Sequence, residues 1–175
     1  CPTAGLRGQV ERAAYFDGLD DYLVMDFEPR GVSYGPDIHS IAVWVNASQG
    51  TILSTAEGGQ YAYELELDIN QLTTLDDPSG TTSSTPFESP RNEWFHLAVT
   101  IDSSDVARIY INGSEVATGT NEYTERFKRL YIGMNRGGQD FLQGYLDDLR
   151  LYNTTLSAAA VQTLYQESAP LMRFE

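Results

Sequence analysis

The sequence predicts an all-β protein, an antiparallel two-sheet β-sandwich with one short C-terminal helix. Three observations support this fold class. Several short segments alternate apolar and polar residues, an Asn-Gly pair marks a tight hairpin, and the strand-like segments recur every 10–25 residues without long helical patterns between them. Such spacing is typical of β-sandwiches and β-barrels.

The strand segments follow from this alternation. In residues 94–102, every second residue from Phe95 to Ile101 is apolar, which is the pattern of a strand with one buried face. Trp44 and Trp94 lie in such segments, so we expect both rings to be buried rather than to stack on sugars. The predicted strands are residues 40–48, 61–69, 94–102, 129–134 and 144–152.

A hairpin and a helix have local signals of their own. The segment 107–119 is predicted to turn at Asn112 and Gly113, because this pair tolerates the positive φ of a type I′ turn. A helix is predicted at 158–166, with Ser157 as its N-cap.

The chain is predicted to form one domain, at residues 13–168. Residues 1–12 are a lead-in, and 169–175 are either a tail or a last strand. The segment 76–93 contains three Pro, one Gly and many Ser and Thr residues, so we predict a long loop there.

Charge and composition exclude some classes of partner. The chain has 25 Asp and Glu against 11 Lys and Arg, a net charge of −14, so it would repel nucleic acid and anionic lipid. No run of about 18 apolar residues is present, which argues against membrane insertion. The acidity favours a bound cation or a neutral or basic partner, or it is only a solubility adaptation. With one cysteine there is no internal disulfide, and Cys1 is either an added residue or a half-cystine that pairs outside the chain.

Three carboxylates alternate along one predicted strand, at Glu64, Glu66 and Asp68. Same-face neighbours on a strand lie about 6.6–6.8 Å apart, which is near the separation of about 6.5–9.5 Å in inverting glycosidases. The flanking residues also fit an ordinary strand with one solvated face. Three interpretations stay open: catalysis, a ligand-binding or cation-binding face, and a solvated face.

A sugar-binding surface is predicted around the loop at residues 134–141. The loop offers amide, guanidinium and carboxylate groups for sugar hydroxyls, one flat aromatic face and an open backbone at two glycines. The segment 76–93 is expected to border it. The alternative is a polar hairpin loop without a ligand. The predicted ligand-binding residues are Asn135, Arg136, Gln139, Asp140, Phe141 and Tyr123.

Five motifs, taken in their order along the chain, resemble those of a known protein family. The motifs are "AAYFDGLDDYLVM", "SIAVWVNAS", "WFHLAVTIDSSDVARIYINGSEVATG", "RLYIGMN" and "FLQGYLDDLRLYNTTLSAAAVQTLY". This order resembles the concanavalin A-like lectin/glucanase superfamily, in its laminin-G-like and pentraxin-like jelly-roll branch, over roughly residues 13–166. The resemblance is specific for the fold and weak for function, because this sandwich carries many activities.

The resemblance implies a structural calcium ion where the "FDG" motif meets the "DD" pair of the last long strand. The matching residues are Asp17, Gly18, Asp147 and Asp148, with Asp20 and Asp21 able to add oxygens. Calcium prefers such carboxylate and carbonyl ligands. The alternative is that the aspartates only stabilise the turn around the glycine.

The resemblance also bears on catalysis. Glucanases of this superfamily carry Glu-x-Asp-x-Glu or Glu-x-Asp-x-x-Glu on one strand, whereas this chain has Glu-x-Glu-x-Asp at 64–68. His39 and His96 have no nucleophile partner recognisable in the sequence. We therefore predict no catalytic residues, and a calcium-stabilised, lectin-like carbohydrate-binding module of a larger extracellular or cell-surface protein. The alternatives are a protein-interaction or adhesion scaffold and, against the motif, a polysaccharide hydrolase or lyase.

Overall fold

The fold is a sandwich of two antiparallel β-sheets with one helix. The computed structural model describes residues 2–7, 9, 12–27, 38–56, 64–76, 81–121 and 127–168. The elements within these residues are β1 (Thr3–Arg7), β2 (Arg12–Asp17), β3 (Leu23–Asp26), β4 (Ser40–Gln49), β5 (Thr51–Ala56), β6 (Glu64–Asp68), β7 (Gln71–Asp76), β8 (Thr81–Pro86), β9 (Phe95–Ile101), β10 (Val106–Ile111), β11 (Ser114–Thr120), β12 (Arg129–Ile132), β13 (Gln143–Tyr152) and α1 (Ala158–Ser168).

The strands form one seven-stranded and one six-stranded sheet. The first has the order β1-β2-β13-β4-β9-β10-β11, and the second has the order β3-β12-β5-β6-β7-β8. Strand β13, near the end of the chain, lies between β2 and β4, so the seven-stranded sheet joins distant parts of the sequence. The predicted fold class, an all-β two-sheet sandwich with a short C-terminal helix, is confirmed.

The core lies between the two sheets and consists of the alternate apolar residues of facing strands. Val43 and Val45 of β4 pack in it with Leu97 of β9, and Leu65 and Leu67 of β6 contribute from the other sheet. Each of these side chains is at most 1% exposed. Full burial of such a side chain contributes roughly 1.5–3 kcal/mol, so this interface holds the sandwich together.

Helix α1 covers the outer face of the seven-stranded sheet. Ser157 caps it as predicted, because its Oγ accepts a hydrogen bond of 3.2 Å from the Ala160 N–H. Val161 is fully buried and packs on Ala42 and Ala98 of the sheet. The outer face of β9 is therefore covered as well as its core face, and every residue of the strand is buried, although its sequence predicts one polar face. Among the described residues, no helix is long and apolar enough to cross a membrane.

The predicted hairpin at Asn112 and Gly113 is confirmed, with φ of 51° and 79° at the two residues. The Asn112 Oδ1 also accepts a hydrogen bond of 2.9 Å from the His96 N–H. The turn is therefore attached to the neighbouring strand β9 as well as to its own two strands.

One sequence prediction was wrong in part. The segment 76–93 is not one long loop, because β8 lies within it and pairs with β7 at the edge of the six-stranded sheet. Its Ser and Thr side chains are also common in loops, but an edge strand with a solvated face tolerates them. The predicted lead-in 1–12 includes β1, which pairs with β2. The predicted tail 169–175, the start of the predicted strand 61–69 at residues 61–63, Cys1 and Tyr123 lie outside the described residues.

A buried histidine lies between the seven-stranded sheet and α1. His96 is 3% exposed and packs against Trp44 and Tyr165, with ring centroids 5.4 and 6.0 Å away. Trp44 is itself buried, as expected, and its Nε1–H donates to Ser168 Oγ at 3.0 Å. No described residue forms a hydrogen bond with His96 Nδ1. Burial lowers the pKa of His96 to about 4, although the Asp148 charge nearby opposes this shift.

We predict that His96 makes the protein sensitive to acid. Its pKa is lower in the folded chain than in the unfolded chain, so the stability it supports is present above about pH 6.5 and lost as the pH falls towards 4. The expected loss is about 3 kcal/mol in the free energy of unfolding. Urea unfolding at pH 7 and pH 4 measures it by comparison: from pH 7 to pH 4, the free energy of unfolding should change about 3 kcal/mol less favourably in wild type than in His96→Gln. His39→Gln is the matched control, and an equal pH dependence in wild type and His96→Gln would contradict the assignment.

Candidate functional site

Two carboxylates project from the outer face of strand β6. Leu65 and Leu67 are buried in the core, so Glu66 and Asp68 point to the opposite side of the sheet. Both carboxylates are only half-exposed. The backbone of Glu64 lies in the same strand, and its side chain is outside the description.

The loop between β12 and β13 is held in one shape by Asn135. The Asn135 Oδ1 accepts a hydrogen bond of 2.9 Å from the Gln139 N–H, and the Asn135 side-chain amide donates to Asp140 Oδ2 at 2.7 Å. The Asp140 carbonyl accepts a hydrogen bond of 2.8 Å from the Thr51 N–H of β5. The loop is thereby fixed beside β5 and β6, with Asp140 at a left-handed φ of 49°.

Gly50 allows the loop between β12 and β13 to lie close to β5. Its φ is 101°, and a Cβ added there would overlap the backbone carbonyl of Phe141. A residue with a side chain would therefore force the loop away from β5.

The carboxylate strand and the loop, which the sequence suggested as separate candidates, meet in one site. Burial, together with the smaller effects of the Asp68 and Asp140 charges, raises the pKa of Glu66 to about 7. Burial and the Asp140 charge also raise the pKa of Asp68, against the opposing effect of a 2.6 Å hydrogen bond from the Thr51 hydroxyl. Asp140 thus acts electrostatically on both strand carboxylates.

A cavity of about 290 Å³ opens where the loop meets the end of β6. Arg91 enters it from the segment 76–93, and its guanidinium donates to the Ser48 carbonyl at 2.8 Å. The cavity combines carboxylates, side-chain amides and a guanidinium. Its lining consists of Gln49, Gly50, Asp68, Ile69, Asn70, Arg91 and Asp140.

A strip of hydroxyl and amide groups continues the polar surface away from the cavity. Thr73 of β7 pairs with Glu66 on one side and with Ser84 of β8 on the other, so the three side chains share the outer face. Gln71 Nε2 donates to the Thr73 hydroxyl at 2.9 Å. The polar surface therefore runs across β6, β7 and β8.

The other predicted ligand-binding residues have different positions. Arg136 and Gln139 are exposed on the same loop but do not line the cavity, and Phe141 is half-buried. Tyr123 lies outside the described residues. Sequence reasoning did not single out Gln49, Asn70 or Arg91, since each lies at a strand end or in a loop without a motif.

The predicted metal ligands divide into two places. Oxygens of Asp17, Asp20 and Asp21 lie within 4.8 Å of one another, so they form one acidic group of hard ligands. The structure does not bring Asp147 and Asp148 to this group. In the β2–β13 pairing, Asp17 lies opposite Gln143, and the two other aspartates are four and five residues farther along β13.

The turn itself uses part of this acidic group. Asp17 Oδ1 accepts hydrogen bonds of 2.8 and 3.3 Å from the Leu19 and Asp20 N–H groups, around Gly18 at a φ of 79°. These bonds, that from Leu19 above all, lower the pKa of Asp17, so this carboxylate is ionised at neutral pH. Asp148 instead forms a salt bridge of 2.7 Å with Arg150.

Comparison with known proteins places this geometry in a family. The family model described as "Concanavalin A-like lectin/glucanases superfamily", of laminin G type, matches residues 17–162. The chain belongs to this superfamily. No curated protein matches the sequence. Superfamily membership establishes the fold, whereas the chemistry of the site depends on its own residues.

Solved structures of the superfamily's sandwich type are similar over nearly the whole chain. Domain 4 of AbnA, a GH43 extracellular arabinanase from Geobacillus stearothermophilus, solved in complex with arabinotriose, is 23% identical. Its TM-score is 0.71, over 95% of this chain and 82% of that one. The binding domain of botulinum neurotoxin serotype D is 14% identical, with a TM-score of 0.69 over 96% of this chain and 49% of that one.

A third similar structure is an enzyme. Trypanosoma rangeli sialidase in complex with the inhibitor DANA is 16% identical, with a TM-score of 0.63 over 93% of this chain. This chain covers only 28% of the sialidase and about half of the toxin domain. At these identities the likeness is one of fold.

We predict that the partly buried Glu66 carboxylate destabilises the folded protein at neutral pH. Its pKa is raised from 4.5 to about 7, so its favourable contribution is complete below pH 4.5 and is lost as the pH rises through 7. Glu66→Gln should therefore raise the free energy of unfolding at pH 8 by about 2 kcal/mol, after a discount for partial exposure, and change little at pH 4. The matched control is Glu115→Gln on the exposed edge strand β11. Equal effects of Glu66→Gln at both pH values would contradict the burial of this carboxylate.

Proposed function

We propose that this chain is a carbohydrate-binding module whose sugar site is the cavity between Asp68, Arg91 and Asp140. The observation that carries the proposal is the convergence of acceptors and donors on one small open cavity. Sugar hydroxyls donate to carboxylates and accept from guanidinium and amide groups, so this lining matches their hydrogen-bonding pattern. The cavity volume of about 290 Å³ suits the end of a glycan, and the strip from Glu66 to Ser84 would hold further sugar units.

The similar structures support a carbohydrate ligand. One is a domain of an arabinanase in complex with arabinotriose. Another is a botulinum neurotoxin serotype D ligand-binding domain in complex with N-acetylneuraminic acid, 14% identical, of which this chain covers 49%. They support a carbohydrate as the class of ligand.

The sequence of the carboxylate strand favours binding over cleavage. Residues 64–68 carry Glu-x-Glu-x-Asp, whereas the glucanases of the superfamily carry Glu-x-Asp-x-Glu or Glu-x-Asp-x-x-Glu. The pKa values of Glu66 and Asp68 are both raised, since both groups are partly buried and lie near Asp140. As partly buried acceptors, these carboxylates suit sugar hydroxyl groups as ligands.

We predict that Asp140→Asn weakens glycan binding about tenfold or more. A hydrogen bond to a charged acceptor is worth about 1.5–3 kcal/mol, and asparagine retains the left-handed backbone and an acceptor oxygen for Asn135. Titration calorimetry should be run with arabinotriose and with the best ligand from a glycan array, and the glycan should be recovered uncleaved.

Asp105→Asn is the matched control for this measurement. Asp105 also has a left-handed φ, 59° against 49° at Asp140, but lies in the β9–β10 turn of the other sheet. Equal weakening by the two variants would place the sugar site elsewhere. The absence of saturable binding to any glycan would remove the proposed function.

We further propose that calcium binds at the turn formed by Asp17, Asp20 and Asp21. The donor set fits, because calcium prefers several carboxylate and carbonyl oxygens. Asp17 and Asp21 would hold the ion beside the turn, and the exposed Asp20 would close the site. Calcium sites of extracellular modules typically have dissociation constants of about 10⁻⁴–10⁻³ M.

We predict that calcium raises the melting temperature and that Asp20→Asn removes this effect. A ligand that binds only the folded state stabilises it by about 2.7 kcal/mol at a hundredfold excess over its dissociation constant. Thermal unfolding should therefore be measured in chelator and in about 10–100 mM calcium, a hundredfold excess over a dissociation constant of about 10⁻⁴–10⁻³ M. The metal-free variant should melt close to the metal-free wild type, because Asp20 is exposed. An equal calcium shift in both proteins would contradict this site.

A further inference from the structure

Exposed apolar side chains are concentrated at one edge of the six-stranded sheet. Six large apolar side chains are exposed among the described residues, and all but Val116 lie between positions 19 and 25. Val24 is 52% exposed in the middle of β3. Water contact with so many neighbouring apolar groups is unfavourable, so such a patch indicates a binding surface. The five side chains are Leu19, Tyr22, Leu23, Val24 and Met25.

The backbone of β3 also presents an edge. Within the described part of the chain, β3 pairs only with β12. The Phe27 N–H donates to the Lys128 carbonyl at 2.9 Å, directly after the last β3–β12 pair. Hydrogen-bonded and non-hydrogen-bonded pairs alternate in an antiparallel ladder. The N–H and C=O of Val24 therefore point away from β12, towards the side of β3 on which the described residues place no strand.

A second cavity, of about 240 Å³, lies beside this edge. Leu23 of β3 and Ile132 of β12 line it from one sheet, and Phe16 of β2 and Leu146 of β13 line it from the other. The cavity is thus an apolar gap between the sheets. Arg12, Asp147 and Asp148 also line it.

We infer that β3 and this cavity form a docking site for an extended polypeptide segment of a partner protein, with apolar side chains alternating with Lys or Arg. A strand added beside β3 would pair with the backbone of Val24 and direct every second side chain towards the apolar cavity. Main-chain hydrogen bonds supply affinity in this mode of recognition, and the cavity supplies selectivity.

The negative charge of the protein favours a partner segment with basic residues. The chain has a net charge of −14. A basic segment is attracted to such a surface, and a second copy of this acidic chain is repelled. The site is separate from the sugar cavity, because β3 and β8 are the opposite edges of the sheet and the sugar surface runs across β6 to β8.

The test is a selection of random dodecapeptides displayed on phage against the whole chain. We expect the enriched peptides to alternate apolar and basic residues. Affinity for the best peptide, made synthetically, should fall at least tenfold in Val24→Lys. Val116→Lys is the matched control, since Val116 is 48% exposed on β11, the edge strand of the other sheet. It should bind the peptide within twofold of wild type.

Further measurements distinguish docking at β3 from loss of stability and from binding elsewhere on the protein. Backbone amide NMR of the complex should place the largest shifts at Leu23 to Met25, and a proline at each alternate position of the peptide should abolish binding. Val24→Lys should melt close to wild type and bind glycan normally. The inference is overturned if no peptide is enriched, if both lysine variants weaken binding equally, or if sedimentation shows a wild-type dimer that Val24→Lys abolishes, since a second copy would then be the occupant.

Discussion

The position of β13 between β2 and β4 is the constraint on which the rest of the structure depends. Strand β13 pairs with both β2 and β4, so it joins early and late parts of the chain in the seven-stranded sheet. Gly144 makes this possible at a φ of 153°, because a Cβ there would overlap the carbonyl oxygen of Asn46. The same pairing fixes the loop that precedes β13, since Leu142 is fully buried and its N–H donates to the Gly133 carbonyl at 2.9 Å. The position of Asp140 beside Asp68 therefore follows from the closure of the opposite sheet.

Burial shifts the pKa values of two groups, His96 and Glu66, whose effects on the free energy of unfolding oppose each other as the pH changes. His96 is covered by α1 on one sheet and resists protonation, whereas Glu66 is partly covered on the other sheet and resists ionisation. Lowering the pH through the range between their pKa values charges the histidine and neutralises the glutamate. The two effects offset each other in the total free energy of unfolding, although each has a separate local cause. A flat pH dependence of the wild type would thus still be compatible with two strongly perturbed groups.

The sequence predicts elements with local signals and misses relations that depend on register. Ser157 specifies the start of α1, and Asn112 with Gly113 specifies the hairpin turn, because capping and positive φ are properties of a few adjacent residues. Strand β8 was missed because an edge strand can be built from residues typical of loops. The register of β2 against β13 separates Asp17 from Asp148, and no local pattern contains that information. The meeting of Asp140 with Asp68 was likewise not predicted, although each was recognised on its own.

The two proposed binding surfaces have different chemistry because of their positions in one sheet. At β6 to β8 the outer face carries carboxylates and hydroxyls over a closed core, so it offers directional hydrogen bonds to a polar ligand. At β3 the sandwich is open, and the surface consists of apolar side chains and backbone groups that suit another strand. Strands β12 and β5 separate β3 from β6 and pair firmly with their neighbours. A partner bound at β3 would therefore leave the carboxylate surface accessible. The protein could then bind the proposed glycan and this partner at the same time.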